Sequence, residues 1–382
     1  LSSVSSPSAS AVENIFMFFP DNRAWSHQLI RVIGEINNGG GDFGEIFRAA
    51  SKMKVGDAES WFSQWNAMAQ YVENLGIEAE KRDHLVTARE CYFRSSNYYR
   101  MADFYLDRYD AREKPTYLKH VSLFQKACAL VSPQIEPLSI PFEGVGHLHS
   151  YFVRSEKSPS DKLPCVILFG GADATCEEGY FGFGASIRQR DMHAVLLDGP
   201  GQGYTLRFEG LYARHDYEKA VGTVIDYLIS EKEDFIQKDK IGIIGRSMGG
   251  YYAARAAAME KRVRATVVGD AIFDVTSDVY DYFPPVRKAI QWDLGAKDDA
   301  EAREKLAKFN LSGIAEKIGS PILIIHGEQD YVSSPRAAKR LYDSINHDDK
   351  TLKWYKAGHG VSSYRAEAME LALDWLTEKL RK

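Results

Sequence analysis

Apolar positions in the first third of the chain recur at helical spacing. Trp25, Leu29, Ile30 and Ile33 form one such stripe, and N-N-G-G-G-D at 37–42 interrupts it. Two long amphipathic stretches follow at 59–75 and 81–105, the second marked by Ala88, Cys91, Tyr92, Ser95 and Tyr99, and a third covers 114–131. Small residues alternate with large aromatics here, which suits helix packed on helix. No second copy recurs at a fixed period, so the block is not a solenoid. Helical patterning is expected from about residue 11 to residue 130.

The pattern changes at Pro133, Pro137 and Pro141, which cannot sit inside a helix. Alternation over 139–153 predicts a β-hairpin turning at 144–146. Short apolar runs then alternate with helical stretches: strands at 163–169, 194–197, 241–244, 263–268, 322–325 and 352–355, and helices ending near 190 and covering 217–229, 250–258 and 365–380. The 217–229 helix presents Val221, Val224, Ile225 and Leu228 on one face. Such alternation predicts an α/β fold, a mostly parallel sheet covered by helices on both faces. The expected division is a helical domain over 1–132 and a sheet domain over 133–382, with a helical insert at about 273–318.

Composition narrows the class of partner. The 382 residues are 45% hydrophobic and 26% charged, with a formal net charge of -5. That is a globular balance, and its mild acidity argues against nucleic acid or anionic membrane as partner. Cys91, Cys128, Cys165 and Cys176 lack metal-site spacing and are expected to be free thiols in a reducing, cytoplasmic setting. The polar start L-S-S-V-S-S-P-S-A-S reads as a mobile tail without a basic leader, and the apolar run at 15–19 is too short for a signal core or a membrane span. The first residue is not Met, so residues can be missing upstream.

Candidate chemistry centres on G-R-S-M-G at 245–249, between an apolar strand and an Ala-rich helix. Strand, tight turn and helix are the context of a nucleophile elbow. Glycines two before and two after Ser247 let strand and helix approach, and the Met248 backbone N–H faces a forming oxyanion. An acid is expected beyond a later strand, in H-G-E-Q-D, where Asp330 is favoured over Glu328. His359 in K-A-G-H-G follows the last strand and completes the order Ser, Asp, His. His326 is expected to pack at its strand end. The second oxyanion donor is expected from Gly171 or Ala172, in the loop after 163–169. Asp173 in that loop has two readings: a structural turn facing away, or a group that handles protons or a substrate hydroxyl. The aromatics Trp61, Trp65, Tyr92, Phe93, Tyr98, Tyr99, Phe104 and Tyr105 read as core, or in part as the wall of a pocket for a flat substrate.

The loop G-G-A-D-A-T-C-E-E, the turn D-G-P-G-Q-G, the elbow G-R-S-M-G-G-Y-Y-A-A-R-A-A, the closing H-G-E-Q-D and A-G-H-G, and the helical A-R-E-C-Y-F-R-S-S-N-Y-Y-R-M-A resemble the α/β-hydrolase carbon–carbon bond hydrolases. The types they are similar to are 2,6-dihydroxypseudooxynicotine hydrolase and the fungal enzymes that shorten heptaketide naphthopyrone pigments. The resemblance covers most of the chain. It implies the α/β-hydrolase fold with an N-terminal helical lid, Ser247 as nucleophile, Asp330 as acid and His359 as base. The family's loop acid matches Asp173, which is Asp in the pigment type and Glu in the nicotine type. G-Y-Y-A follows the pigment type and makes Tyr251 a candidate substrate contact, whereas D-G-P-G-Q-G is closer to the nicotine type. The implied activity is hydrolysis of a carbon–carbon bond beside a ketone, through an acyl-enzyme, on an aromatic or polyketide-like small molecule of secondary metabolism. No metal or organic cofactor is called for. A carboxylesterase, a serine peptidase and a catalytically silent binding protein remain alternatives, and a homodimer stays open.

Overall fold

The computed structural model describes residues 16–381; the polar tail and Ile15 of the apolar run lie outside them. The helical block consists of α1 (Arg23–Ile33), α2 (Phe43–Ala50), α3 (Ala58–Lys81), α4 (Leu85–Asp103) and α5 (Glu113–Ala129). Asp42 and Asp57 cap α2 and α3, each accepting backbone N–H groups of the first turn. Helix α2 lies inside the block expected to be helical but had no stripe of its own, because eight residues give the apolar period too few repeats. Helix α3 runs on past 75, and the turn that separates it from α4 falls at Arg82–Asp83, inside the stretch read as 81–105, with Asp83 at φ 60°.

The sheet strands are β1 (Glu136–Phe142), β2 (Gly146–Val153), β3 (Leu163–Phe169), β4 (His193–Asp198), β5 (Ile236–Arg246), β6 (Val263–Gly269), β7 (Ile322–Gly327) and β8 (Lys350–Tyr355). Between and after them lie α6 (Cys176–Gly179), α7 (Ala185–Arg188), α8 (Gly203–Glu209), α9 (Glu218–Glu231), α10 (Met248–Met259), α11 (Arg287–Asp293), α12 (Asp299–Leu306), α13 (Pro335–Ser344) and α14 (Arg365–Arg381). Strand order is β1-β2-β4-β3-β5-β6-β7-β8; β1–β2 and β2–β4 pair antiparallel and the rest parallel. Strand β5 starts five residues earlier than its apolar run, since Lys238, Asp239 and Lys240 break that run. The chain leaves β3 toward β4 and returns to β5 on the other side of β3. This reversal brings the loops after β3 and β5 together at the carboxyl edge, where open α/β sheets bind ligands.

Alternate strand residues feed two cores. Cys165, Ile167, Phe169, Ile241 and Ile243 face α9, α10 and α13. Val166, Leu168, Ile244, Val267 and Ile325 face α14 and the helical block. The block joins that core through Tyr180 and Phe181: Phe93 stacks on Tyr180 at 5.1 Å and meets Phe181 edge-on at 5.6 Å. Trp61, Trp65, Tyr92 and Tyr98 are wholly buried and belong to the core. Among the described residues no helix is long and apolar enough to cross a membrane.

Candidate active site

Ser247 closes the turn between β5 and α10 with φ 57° and ψ −122°, a left-handed conformation that costs a serine energy and is held by its surroundings. The flanking glycines are required. A Cβ at Gly245 would run into the Gly249 carbonyl, and one at Gly249 would stand 2.5 Å from the Gly170 carbonyl oxygen. The turn aims the Ser247 hydroxyl at His359, whose Nε2 lies 3.1 Å from Oγ. On the far side of the ring, His359 Nδ1 lies 2.8 Å from Asp330 Oδ2. The buried Asp330 carboxylate also accepts the Val332 and Ser333 N–H groups at 2.8 and 2.9 Å and the Ser333 hydroxyl at 2.8 Å. Glu328, the competing acid, is exposed. His326 is fully buried against Trp354, as expected of a residue packing at the strand end.

Charge follows this arrangement. Burial alone would disfavour the His359 cation, but Asp330 and Asp270 outweigh it and hold the imidazole up at about 9. Burial likewise opposes ionisation of Asp330, yet His359 brings that carboxyl down to about 2.

Met248 is the first residue of α10, where a backbone N–H has no partner within the helix. Gly171 stands against the serine: a Cβ there would lie 3.1 Å from Ser247 Cβ and 3.4 Å from Oγ. Gln202 fixes this loop, its Nε2 donating to the Gly170 carbonyl at 2.6 Å while its Oε1 accepts from the Tyr217 hydroxyl at 2.6 Å. Ala172 is half-buried beside it. Asp173 is exposed at the rim of the site, and its charge is not unbalanced. Arg31 of α1 donates to its Oδ2 at 2.7 Å, and the same guanidinium grips Glu178 through Nε and Nη2. Burial works against the Asp173 anion, and Arg31 overcomes it, keeping the carboxyl below its ordinary range.

Tyr251 corrects the sequence reading. It is fully buried, its hydroxyl donates to the His215 carbonyl at 3.2 Å, and its ring packs on Phe309 at 5.6 Å. Four residues along α10 from Ser247, it faces the helix-covered core rather than the loops after β3 and β7.

Several residues at the site left no signal in the motifs. Arg246 donates to the Gly360 carbonyl at 2.9 Å, and Asp270 accepts the Gly360 N–H at 2.9 Å. Together they clamp the histidine loop, whose Gly360 and Val361 have positive φ. Asp270 directly follows β6 at the same sheet edge, a position that topology could have flagged. From the helical block, His27 sets its ring edge against Tyr331 at 6.4 Å. Burial, with His359 and Arg31 nearby, pushes His27 down to about 4, so it stays neutral. Only the three-dimensional docking of α1 brings it here. Asp270, Asp330 and His359, and separately His149, Cys176 and Glu177, place potential ligand atoms within 4.8 Å of one another. Asp330 and His359 already meet each other at 2.8 Å, Asp270 accepts the Gly360 N–H, and His149 Nε2 lies 3.0 Å from Glu177.

The prolyl oligopeptidase family matches residues 185–382. "Hydrolase acrC" of Aspergillus aculeatus is 35% identical over 396 residues, covering 91% of this chain and 92% of that protein. "Hydrolase LUC6" of a Fusarium species is 30% identical over 362 residues, covering 84% and 86%. The crystal structure of 2,6-dihydroxy-pseudo-oxynicotine hydrolase superposes with a TM-score of 0.80 at 26% identity, covering 91% of this chain and 95% of that one. The chain is therefore a hydrolase with the α/β-hydrolase fold and an N-terminal helical region, and it belongs to the prolyl oligopeptidase family.

Proposed function

We propose that the protein is a serine hydrolase that cleaves a carbon–carbon bond beside a ketone in an aromatic or polyketide-like small molecule. The observation that carries this reading is the unbroken run from Ser247 Oγ through the His359 ring to Asp330. In the reaction, Oγ attacks the ketone carbon and its proton passes to His359 Nε2. The Met248 and Gly171 or Ala172 N–H groups receive the oxyanion. Collapse breaks the carbon–carbon bond, and its electron pair leaves as an enolate. The enolate takes the proton from His359. Water then attacks the acyl ester, gives one proton to His359, and releases the acid as Ser247 recovers that proton. A β-diketone thus yields one carboxylic acid and one methyl ketone or its homologue. Arg31 and Asp173, a neutral pair at the rim, position a substrate hydroxyl or enol. The helical block, with the insert between β6 and β7, acts as the roof.

Likeness to 2,6-dihydroxy-pseudo-oxynicotine hydrolase extends over 91% of this chain, helical block included, and supports ketone over ester cleavage. A second reading, ester or peptide hydrolysis, draws support from the family match over 185–382. Product mass spectrometry on acyl-phenols, naphthopyrones and simple esters separates the two. Acid plus shortened ketone is expected; turnover confined to esters would reject carbon–carbon cleavage.

A further inference from the structure

Beside the histidine loop, on the α14 face of the sheet, lies a cleft that the proposed reaction does not use. Arg246, Asp270 and Gly360 border it next to the catalytic residues, and Arg365 of α14 completes its charged lining. Val267 of β6 and Met369 of α14 belong to an apolar remainder. Its free space is about 40 Å³, room for a group of a few heavy atoms. The Arg246 and Arg365 side chains stay 31% and 21% exposed, so a solute reaches both.

Arg365 is short of a counterpart. Among the described residues its guanidinium makes no hydrogen bond, and the carboxylate oxygen that comes within reach, Glu35 Oε1, lies 4.0 Å away. Glu35 is engaged elsewhere: its Oε2 accepts from Asn97 at 2.7 Å and from Arg100 at 3.4 Å. Arg246 gives one N–H to the Gly360 carbonyl at 2.9 Å and stands 3.7 Å from Asp270 Oδ2. Asp270 is buried and already accepts the Gly360 N–H at 2.9 Å. A guanidinium carries five N–H donors, so most of both forks is unused. Glycines let the two forks sit where they do. A Cβ at Gly34 would stand 2.5 Å from Arg365 Cδ, and one at Gly360 would stand 3.0 Å from Arg246 Nη2. Burial lowers the Arg365 pKa; Glu35 opposes the fall and Arg246 adds to it. A held guanidinium with free donors matches a carboxylate, whose two oxygens fit the planar fork. The apolar lining suits a short hydrocarbon chain behind that head group.

We propose that this cleft is a second binding site, beside the catalytic serine, for a small organic carboxylate with a short apolar chain, gripped by Arg365 and by the free N–H groups of Arg246. Two sources offer that chemistry: the acid that hydrolysis releases from Ser247, and an acid of outside origin. Only the first source rests on the reaction proposed above.

Calorimetric titration of the full chain with butyrate tests the site, with butyramide as the neutral control of the same shape. Butyrate should bind about tenfold or more tightly than butyramide, the scale of a charge-assisted hydrogen bond. Arg365→Met keeps an apolar stem and should weaken butyrate by about tenfold while leaving butyramide unchanged. Ala368, which also lines the cleft, gives the second variant. Ala368→Phe fills the space with both charges in place and should abolish butyrate binding. Thermal melts establish that each variant is folded, and if one is not, the other decides. Equal affinity for butyrate and butyramide, or unchanged butyrate binding by a folded Arg365→Met or Ala368→Phe, overturns the proposal. Kinetics on p-nitrophenyl acetate separate the sources. A rise in KM alone with butyrate assigns the acid to the reaction's own product; a fall in kcat alone assigns it to an outside acid. Butyrate binding by a wild type that cleaves no carbon–carbon bond rejects the proposed reaction and leaves the site standing.

Discussion

Arg246 and Gly360 are joined by a 2.9 Å hydrogen bond, which ties the residue before Ser247 to the residue after His359. The strained elbow and the histidine loop are thus set against each other by one side chain. Arg246→Ala should cut kcat/KM by about a hundredfold, the cost of a small displacement between reacting groups. Arg246 also lowers the His359 pKa, so its removal should move the pH profile to higher pH. Steady-state kinetics from pH 6 to 10 read both effects. An unchanged rate would mean Asp270 holds the loop unaided.

The His359 pair predicts opposite trends in activity and stability. Free imidazole must be present for His359 to act as base, and its pKa is held at about 9. Activity should fall about tenfold per pH unit below that value. Stability runs the other way. The folded-state pKa exceeds the unfolded value, so the pair's contribution is complete below about pH 6.5 and is lost as pH rises through about 9. Tm should therefore decline over the interval in which kcat/KM climbs. A flat profile for both between pH 7 and 9 would contradict the assigned electrostatics.

Asp173 and Arg31 give a paired prediction. Asp173→Asn should reduce ketone cleavage by roughly a hundredfold, as removal of a positioned acid–base group does. Hydrolysis of an activated ester should hold within a few fold, because Arg31 already offsets the charge removed. Arg31→Met leaves the Asp173 carboxylate unbalanced beside the forming oxyanion and should slow ester hydrolysis too. Kinetics of both variants on p-nitrophenyl acetate and a diketone decide it. Equal losses on both substrates in Asp173→Asn would assign Asp173 to loop shape.

Much of the candidate site was legible because its geometry is local. Ser247, Asp330 and His359 each follow a short apolar strand, and a parallel sheet brings such strand ends to one edge. Gly171 was legible for the same reason. Tyr251 was not, because residues at 248–252 share one helix and only packing decides which faces a core. Arg246, Asp270, His27 and Arg31 act through pairings between residues far apart in sequence, from 90 to 142 positions for Gly360–Asp270 and Arg31–Asp173. Periodicity does not encode pairings of that range.

The helical block shares its core with one face of the sheet, which sets the outcome of a truncation. A fragment beginning at Pro133 would expose Tyr151, Tyr180 and Phe181, all now buried against Phe93 and Phe124. Apolar surface of that kind drives association. The fragment should aggregate and lack ketone cleavage, as read by size-exclusion chromatography and product analysis. A soluble, active fragment would show that the block is dispensable as a roof.

The central claim is a covalent acyl-Ser247 formed by breaking a carbon–carbon bond. Rapid acid quench of the enzyme with 1-phenyl-1,3-butanedione, followed by peptide mass spectrometry, tests it. The predicted result is an acetyl or benzoyl adduct on the peptide bearing Ser247, formed as the complementary methyl ketone appears and absent in Ser247→Ala. Ketone release with an unmodified Ser247 at every quench time, or cleavage by Ser247→Ala within about tenfold of wild type, would contradict it.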